Sequence, residues 1–453
     1  MWVLMGVLKF IKDPLFSGRF LSVLSGFGSL IGLFLLSLDF FKDKKQALFA
    51  SFFFSIVPIF VFFNRMALVD SMLLMFTIWT FYFGILFVRN MRLDMAMILG
   101  ILLGFSLLTK SPAIFIVILL PLGLIFYPLK DLLKKEDRLA RLFKFSSLWG
   151  VVYLFAFSIF NVLRLGPDFH MMSSRNKDYI FSFSEILSHP LDPLKPHIFD
   201  LVSWLPNLLT WPILILSIIG FLLMILDRKH IKKALWLFAV FFAPLFAESL
   251  VAKVFTPRYI LFTLWPLLIF ASFTISFVLR KLKSKKEKSI FIFLFALLMV
   301  FTALRYDYFL ISDPQSAPLP LKMRSGYLEE WSAGHGIKEA AEIVKLEAKT
   351  KNVLIGTEGF FGTLPDGLQV YLEGTPRVTV IGVGYPIIDL SPKLVNSLEN
   401  NDVYLLVNQS RMQIDPNSYG LELVKDYPKA ATFTGGQDKL LFFKLDKEFW
   451  SEK

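Results

Sequence analysis

The chain has 453 residues, 55% of them hydrophobic and 51 of them phenylalanine, at a mean hydropathy of +0.60; this composition excludes an ordinary soluble domain and marks an integral membrane protein. The net charge of +12 does not indicate nucleic acid, because Lys and Arg gather in short turns between apolar runs, as one face of a membrane protein requires. With no cysteine, the chain has no disulfide framework, thiolate nucleophile or Cys-ligated metal.

Residues 1–19 read as a partly basic interfacial segment, broken at Asp13-Pro14. Apolar runs follow at 20–39, 46–63, 71–88, 93–109, 112–128, 146–163, 207–226, 234–250, 257–279 and 289–305, each near the ~20 residues a span needs. The stretch 93–128 is read as two spans, since one helix of that length would run roughly 50 Å against a hydrocarbon core of about 30 Å. The expected fold is therefore a polytopic α-helical membrane protein of about ten transmembrane helices, with its membrane domain at 20–305.

The loop charges test that count. Loops at 42–45 (KDKK), 88–94 (VRNMRLD), 129–144, 227–233 (DRKHIKK) and 280–288 (RKLKSKKEK) are all basic. The alternate set, at 64–70, around Lys110, at 164–206 and at 251–258, is close to balanced. The basic set is expected to face the cytoplasm. Asp70, Lys110, Arg258 and the chain after about residue 306 are then extracytoplasmic, on a multi-pass protein of the cell membrane.

The 164–206 connection carries Arg164, Arg175, Lys177, Asp178, Tyr179, His189 and His197 and reads as a long functional loop without regular structure. Its two histidines stand beside prolines and lack the i,i+4 spacing of helical ligand motifs, so no metal is expected. After a Pro/Gly-rich linker at 306–335, residues 336–453 alternate helix and strand signals. Helices are expected at 336–349, 364–372 and 391–400, and strands at 352–357, 377–383, 402–408 and 439–445. That order predicts a small three-layer α/β domain with a largely parallel sheet. The turn GTEGFFG does not lead straight into a helix as a nucleotide-binding glycine loop does.

Two ionisable residues stand at the mouths of apolar runs, where a charge is expensive. Asp70, in NRMALVDSMLLMF, fits a helix N-cap as well as a functional carboxylate. Lys110, in GFSLLTKSPA, fits a snorkelling lysine as well as a binding one. Arg258 enters a span in TPRYILF. Cations at a membrane boundary suit a lipid phosphate, and a carboxylate beside them can take a proton from an acceptor hydroxyl. Transferases, transporters and lipid-binding proteins all remain open on that ground.

NRMALVDSMLLMF resembles the R-x-x-x-x-D element of the protein O-mannosyltransferases and lipid A aminoarabinose transferases. GILLGFSLLTKSPAIFI resembles their G-x-x-x-G-x-x-x-L-T-K segment, and FTPRYILFTLWP their R-Y-x-x-x-x-x-P helix. The resemblance covers about 19–280 and implies a C-type-fold glycosyltransferase, needing no cofactor and no nucleotide-sugar. Such an enzyme moves a sugar from a polyprenyl-phosphate donor to a protein, lipid or glycan acceptor on the outer face, with inversion. Carried over by motif, Asp70 and Arg65 are the catalytic candidates, and Lys110, Arg258 and Tyr259 the donor-phosphate ligands. Arg175 and Lys177 join the phosphate ligands because the 164–206 connection lies where such enzymes build a donor surface. The family's first outer loop bears an Asp-Glu pair whose Asp is the expected base. This sequence has no Asp or Glu before Asp13, so the first helix and loop are expected to be missing and transfer by this chain to be impaired.

The charge alternation predicts that a cysteine at Ser284→Cys labels from the cytoplasmic side and one at Ser391→Cys from the other, in a chain otherwise free of thiols. Both labelling from one side would remove the topology.

Overall fold

The computed structural model describes residues 2–127, 138–167, 169–189 and 191–451, without the side chains at 138, 141, 172, 173 and 175. The chain forms two compact units, Met1–Pro318 and Leu319–Lys453.

The first unit is helical. Among the described residues, five helices are long and apolar enough to cross a membrane: Pro14–Phe41, Asp70–Asn90, Leu142–Leu165, Ile231–Val251 and Lys285–Ser312. Three bent pairs bring the number to eight if each is one span: Lys44–Ile56 with Pro58–Asn64 (62°), Leu191–Leu209 with Trp211–Leu226 (104°), and Pro257–Thr263 with Trp265–Lys281 (55°). The chain is a multi-pass membrane protein. Each break has a local cause. Pro58 and Pro266 lack the amide a continuing helix needs and instead open the next piece. Thr210, at φ 68°, turns the chain into Trp211-Pro212.

Some helix starts carry side-chain caps. Asp13 accepts from the Phe16 amide ahead of Pro14, Asp43 accepts from Lys45 and Gln46, and Ser284 with Glu287 closes a capping box. The basic turns come together at one end of the unit. There Asp39 pairs with Lys42 at 2.6 Å and with Arg89, Lys233 donates to the Phe40 carbonyl, and Arg280 stands 3.4 Å from Asp43. The turn at 129–144 falls mostly outside the described residues.

Between Trp211–Leu226 and Trp265–Lys281 the backbones nearly touch. A Cβ on Gly220 would stand 1.9 Å from the Phe270 carbonyl oxygen, closer than any side chain can. That approach lets the Ser217 hydroxyl donate to the Leu267 carbonyl at 2.8 Å and the Thr274 hydroxyl to the Leu216 carbonyl at 2.7 Å. Small residues and cross-helix hydrogen bonds of this kind hold helices together where lipid offers no hydrophobic drive.

The 164–206 connection is helical rather than irregular, with helices at Met171–Tyr179, Phe183–Ser188 and Leu191–Leu209. The Ser182–Glu185 capping box starts the second, and the third places Pro193 in its first turn, where no amide is needed.

The second unit has five strands: β1 (Val353–Glu358), β2 (Val378–Gly384), β3 (Asp402–Asn408), β4 (Leu421–Pro428) and β5 (Lys439–Leu445). They lie in the order β2-β1-β3-β5-β4. The first three are parallel, while β5 runs antiparallel to β3 and to β4. The sheet is therefore mixed rather than largely parallel, and β4 is a strand the sequence reading missed. Helices Ile337–Glu347 and Asp366–Leu372 pack Val344 and Leu368 with Ile355, Leu406 and Phe442 on one face. The segment from Pro392 packs Leu394 and Leu398 with Val403, Leu405 and Phe443 on the other.

Charges in this unit are paired as they are buried. Both Glu358 oxygens accept from Asn408, one from its amide and one from its side chain, each at 2.7 Å. Lys429 donates to the Glu330 carbonyl at 2.8 Å, to Asp438 at 3.1 Å and to the Asn408 side chain. Burial pushes the Glu358 carboxyl above its ordinary range and the Lys429 ammonium below its own, against the pull of these partners. At the start of β3, burial also opposes ionisation of Asp402. Lys351 at 2.8 Å and Lys444 at 3.5 Å outweigh it and hold that carboxyl below the usual range.

A depressed carboxyl stabilises the fold above its unfolded pKa, and that stabilisation is lost as pH falls through the folded value. Asp402→Asn is expected to cost about 1 kcal/mol at neutral pH, since the lysines are half exposed and screened. The difference in Tm between variant and parent should shrink in acid below the ordinary aspartate range. A difference independent of pH would show that the charge is not what Asp402 contributes.

Candidate functional site

Asp70 is the first residue of the Asp70–Asn90 helix, after Val69, which makes no side-chain cap. The turn before it is held in place, with the Ser71 hydroxyl donating to the Phe63 carbonyl at 3.1 Å and the Ser22 hydroxyl to the Leu68 carbonyl at 3.1 Å. Lys110 follows the Leu93–Thr109 helix in an extended conformation, at φ −164° and ψ 148°, because Ser111-Pro112 starts a new helical piece. The extended residue delivers its side chain to Asp70: Nζ stands 2.5 Å from Oδ1, with the two side chains 20% and 4% exposed. Lys110 therefore does not snorkel and Asp70 is not the helix cap. They are an ion pair.

Tyr259 sits under both cations of the site. Lys110 Nζ is 4.3 Å and Arg258 Cζ 4.9 Å from the centre of its ring, and Arg258 Nη2 donates to its hydroxyl at 3.0 Å. The ring's negative face tempers the repulsion between two cations brought so close. Arg258 Nε, also buried, has no hydrogen-bond partner. A fourth ionisable side chain completes the group. Glu248, 6% exposed on the Ile231–Val251 helix, interacts electrostatically with Lys110 and Asp70, and its Oε2 has no hydrogen-bond partner. The sequence reading missed Glu248, although a lone carboxylate inside the run LFAESLV was a sufficient signal.

The other expected residues lie around this core. Arg65 ends the turn after Pro58–Asn64 and donates from Nη2 to the Leu310 carbonyl at 3.4 Å. Its charge meets buried Asp307, beside Tyr306, so its neighbours come from the Arg305–Ser312 helix. Lys177 is exposed on the Met171–Tyr179 helix, and its carbonyl accepts from Lys253 Nζ at 2.9 Å. An antiparallel bridge between Ile180 and Ala252 stitches this segment to the chain between Glu248 and Arg258, and the charge of Arg258 reaches Tyr179. The Arg175 side chain lies outside the described residues. His197 is a core residue, with Nδ1 2.8 Å from the Ser249 carbonyl and its ring against Phe255, whereas exposed His189 faces Asp192 at 3.6 Å.

Beside the ion pair opens an apolar cavity of about 440 Å³. Val69 and Thr109, the chain neighbours of Asp70 and Lys110, line it with Met72, Phe76, Phe105 and Leu108. The charged residues themselves do not line this cavity; Val69 and Thr109 connect it to them along the chain.

Residues 1–161 match a family model described as dolichyl-phosphate-mannose-protein mannosyltransferase. The match includes Arg65, Asp70 and Lys110 and ends before Glu248, Arg258 and Tyr259. No curated protein matches the chain in sequence. Among solved structures, ArnT from Cupriavidus metallidurans in the apo state is similar at a TM-score of 0.55 and 13% identity, over 99% of this chain and 87% of that one. ArnT from the same organism bound to undecaprenyl phosphate is similar at a TM-score of 0.52 and 12% identity, over 97% and 86%. At such identities the likeness is one of fold, extending over both units of the chain.

Because Asp70 and Lys110 are buried together, losing either should leave the other uncompensated. Asp70→Asn and Lys110→Met are each expected to lower stability by about 3–5 kcal/mol, and the double variant by less than the sum. Unfolding of the four proteins in detergent measures the coupling. Additive effects would mean that the pair does not act as one.

Proposed function

We propose that the chain is a membrane glycosyltransferase of the cell envelope, moving a hexosyl or pentosyl unit from a polyprenyl-phosphate donor to a protein, lipid or glycan acceptor. The reading rests chiefly on the half-buried Lys110–Tyr259–Arg258 group with its buried, unsatisfied Arg258 Nε–H. A buried donor without a partner is costly, and a phosphate oxygen would satisfy it. The 440 Å³ slot beside Lys110 suits the first part of an isoprenoid chain, and the match over residues 1–161 supports the same chemistry.

In this reading the site lies on the outer face. The basic turns, gathered at the opposite end, face the cytoplasm, and the α/β unit is extracytoplasmic. The short apolar helices Leu93–Thr109 and Ser111–Phe126, added to the eight candidate spans, give ten crossings.

The chemistry breaks the bond between the sugar's anomeric carbon and the phosphate oxygen and forms one to the acceptor oxygen. Charge developing on the departing phosphate is neutralised by Lys110 and Arg258, an electrostatic effect strongest in a dry site. When the phosphate takes Lys110, Asp70 loses its partner and becomes free to accept the acceptor's proton. Arg65, held on the Arg305–Ser312 helix, supports the turn that carries Asp70, and Lys177 and Arg175 lie on the segment stitched beside Arg258. A transporter of lipid-linked sugars is the alternative. The three bent spans favour it, because broken helices build transport sites.

Lys110→Ala and Arg258→Ala are each expected to weaken binding of a polyprenyl-phosphate sugar roughly ten- to hundred-fold. Release of free polyprenyl phosphate on adding acceptor identifies a transferase, whereas movement of the intact donor from one leaflet to the other in proteoliposomes identifies the transporter. Unchanged donor affinity in both variants would place the phosphate elsewhere.

A further inference from the structure

A second cavity, of about 740 Å³, opens at the opposite end of the membrane unit between the Lys44–Ile56, Trp265–Lys281 and Lys285–Ser312 helices. Its chemistry is graded along its length. At the mouth stand Lys45, Arg280 and Lys288, three cations against the single carboxylate of Asp43, which lies 3.4 Å from Arg280. Below them the walls are apolar. Ile292, Phe295 and Ala296 descend two helical turns beneath Lys288, and Leu48, Phe49 and Phe52 do the same beneath Lys45. Two turns cover about 11 Å of depth. The floor is closed by Phe295 against buried Phe53, ring centres 5.9 Å apart.

One polar atom lies among these walls. Ser276 lines the cavity and is buried, yet its hydroxyl has no hydrogen-bond partner. Its neighbour Ser272 donates back to its own helix, to the Ile269 carbonyl at 2.8 Å, and Thr274 reaches the Leu216 carbonyl. Ser276 alone on this turn keeps an unspent donor beneath the cationic mouth. An unpaired buried hydroxyl is costly unless something in the cavity accepts from it.

We propose that this cavity binds one anionic phospholipid. Its phosphate meets Lys45, Lys288 and Arg280, an ester oxygen accepts from Ser276, and an acyl chain lies along Leu48, Phe52 and Ile292. The surplus of positive charge selects an anionic over a zwitterionic headgroup, as basic pockets between membrane helices do. The apolar depth selects a lipid over a free phosphate. The site is separate from the one around Lys110, so it stands or falls independently of the sugar-transfer reading.

Native mass spectrometry of the full chain in detergent, titrated with dioleoyl phosphatidylglycerol or dioleoyl phosphatidylcholine, tests it. One phosphatidylglycerol is expected to bind per chain, at least about tenfold more tightly than phosphatidylcholine. Lys45→Gln and Lys288→Gln should each weaken it about fivefold, the value of one basic residue near an anionic lipid. Lys45→Arg and Lys288→Arg should preserve it. Ala296→Trp, which fills the wall, should abolish it, and glycerol phosphate without acyl chains should not bind at the same concentrations. Equal affinity for the two lipids, indifference to the Gln variants, or binding of glycerol phosphate as tight as that of the lipid would each overturn the proposal. So would an Ala296→Trp protein that keeps the lipid but changes oligomeric state, since the cavity would then be a seat for a second copy.

Discussion

The membrane unit depends on what happens to two charges that apolar helices cannot leave alone. Asp70 and Lys110 are 40 residues apart in sequence, each at the end of a hydrophobic segment, and each alone would be expensive to bury. Their pairing ties the start of Asp70–Asn90 to the end of Leu93–Thr109, two helices joined at their far end by the basic turn around Arg92. The hairpin is thereby closed at both ends. Because Lys110 is drawn inward, its ammonium reaches the ring of Tyr259, and a site assembles from helices far apart in sequence.

The second unit handles buried charge differently. Glu358 and Lys429 never face each other bare, because Asn408 stands between them and bonds to both. An amide can give a hydrogen bond with one end and accept one with the other, so it relays between a carboxylate and an ammonium without adding charge. Arg411 is set between the rings of Trp331 and Tyr385, at 3.6 and 3.9 Å, which shields its faces while leaving its edge toward Glu358. Both ends of β1 and β3 are thus fixed by polar contacts, Asp402 at one and Glu358 with Asn408 at the other.

How much of this the sequence disclosed follows from how local each signal was. Within the described residues the apolar runs fall on helix, some of it bent at Val57, Thr210 and Leu264, because length and hydropathy are properties of a stretch and survive any packing. Asp70, Lys110 and Arg258 stood out because each interrupts such a run at its edge. Glu248 interrupts one from within, where it reads as part of a span. The segment Leu191–Leu209 reads as loop because Pro193, Pro196 and Pro206 punctuate it, yet packing of Trp204 and His197 overrides their effect. β4 was missed because Glu422, Lys425 and Asp426 alternate with its apolar residues at an exposed edge, where a strand has little need of hydrophobicity. The contact of Arg65 with Leu310 spans 245 residues, and no spacing in the sequence announces it.

The near contact of Gly220 with the Phe270 backbone has a mechanical consequence. Two helices locked at that distance, and cross-bonded through Ser217 and Thr274, resist sliding and behave as one beam. The short Pro257–Ile260 turn that carries Arg258 and Tyr259 is mounted just beyond the end of that beam, across the 55° break before Trp265. Between the beam and the two residues, Ile260, Leu261, Phe262 and Leu264 are all buried. The packing that fixes the beam thereby reaches to the cations themselves, and Arg258 and Tyr259 are held in place by the same bulk that holds the helices behind them.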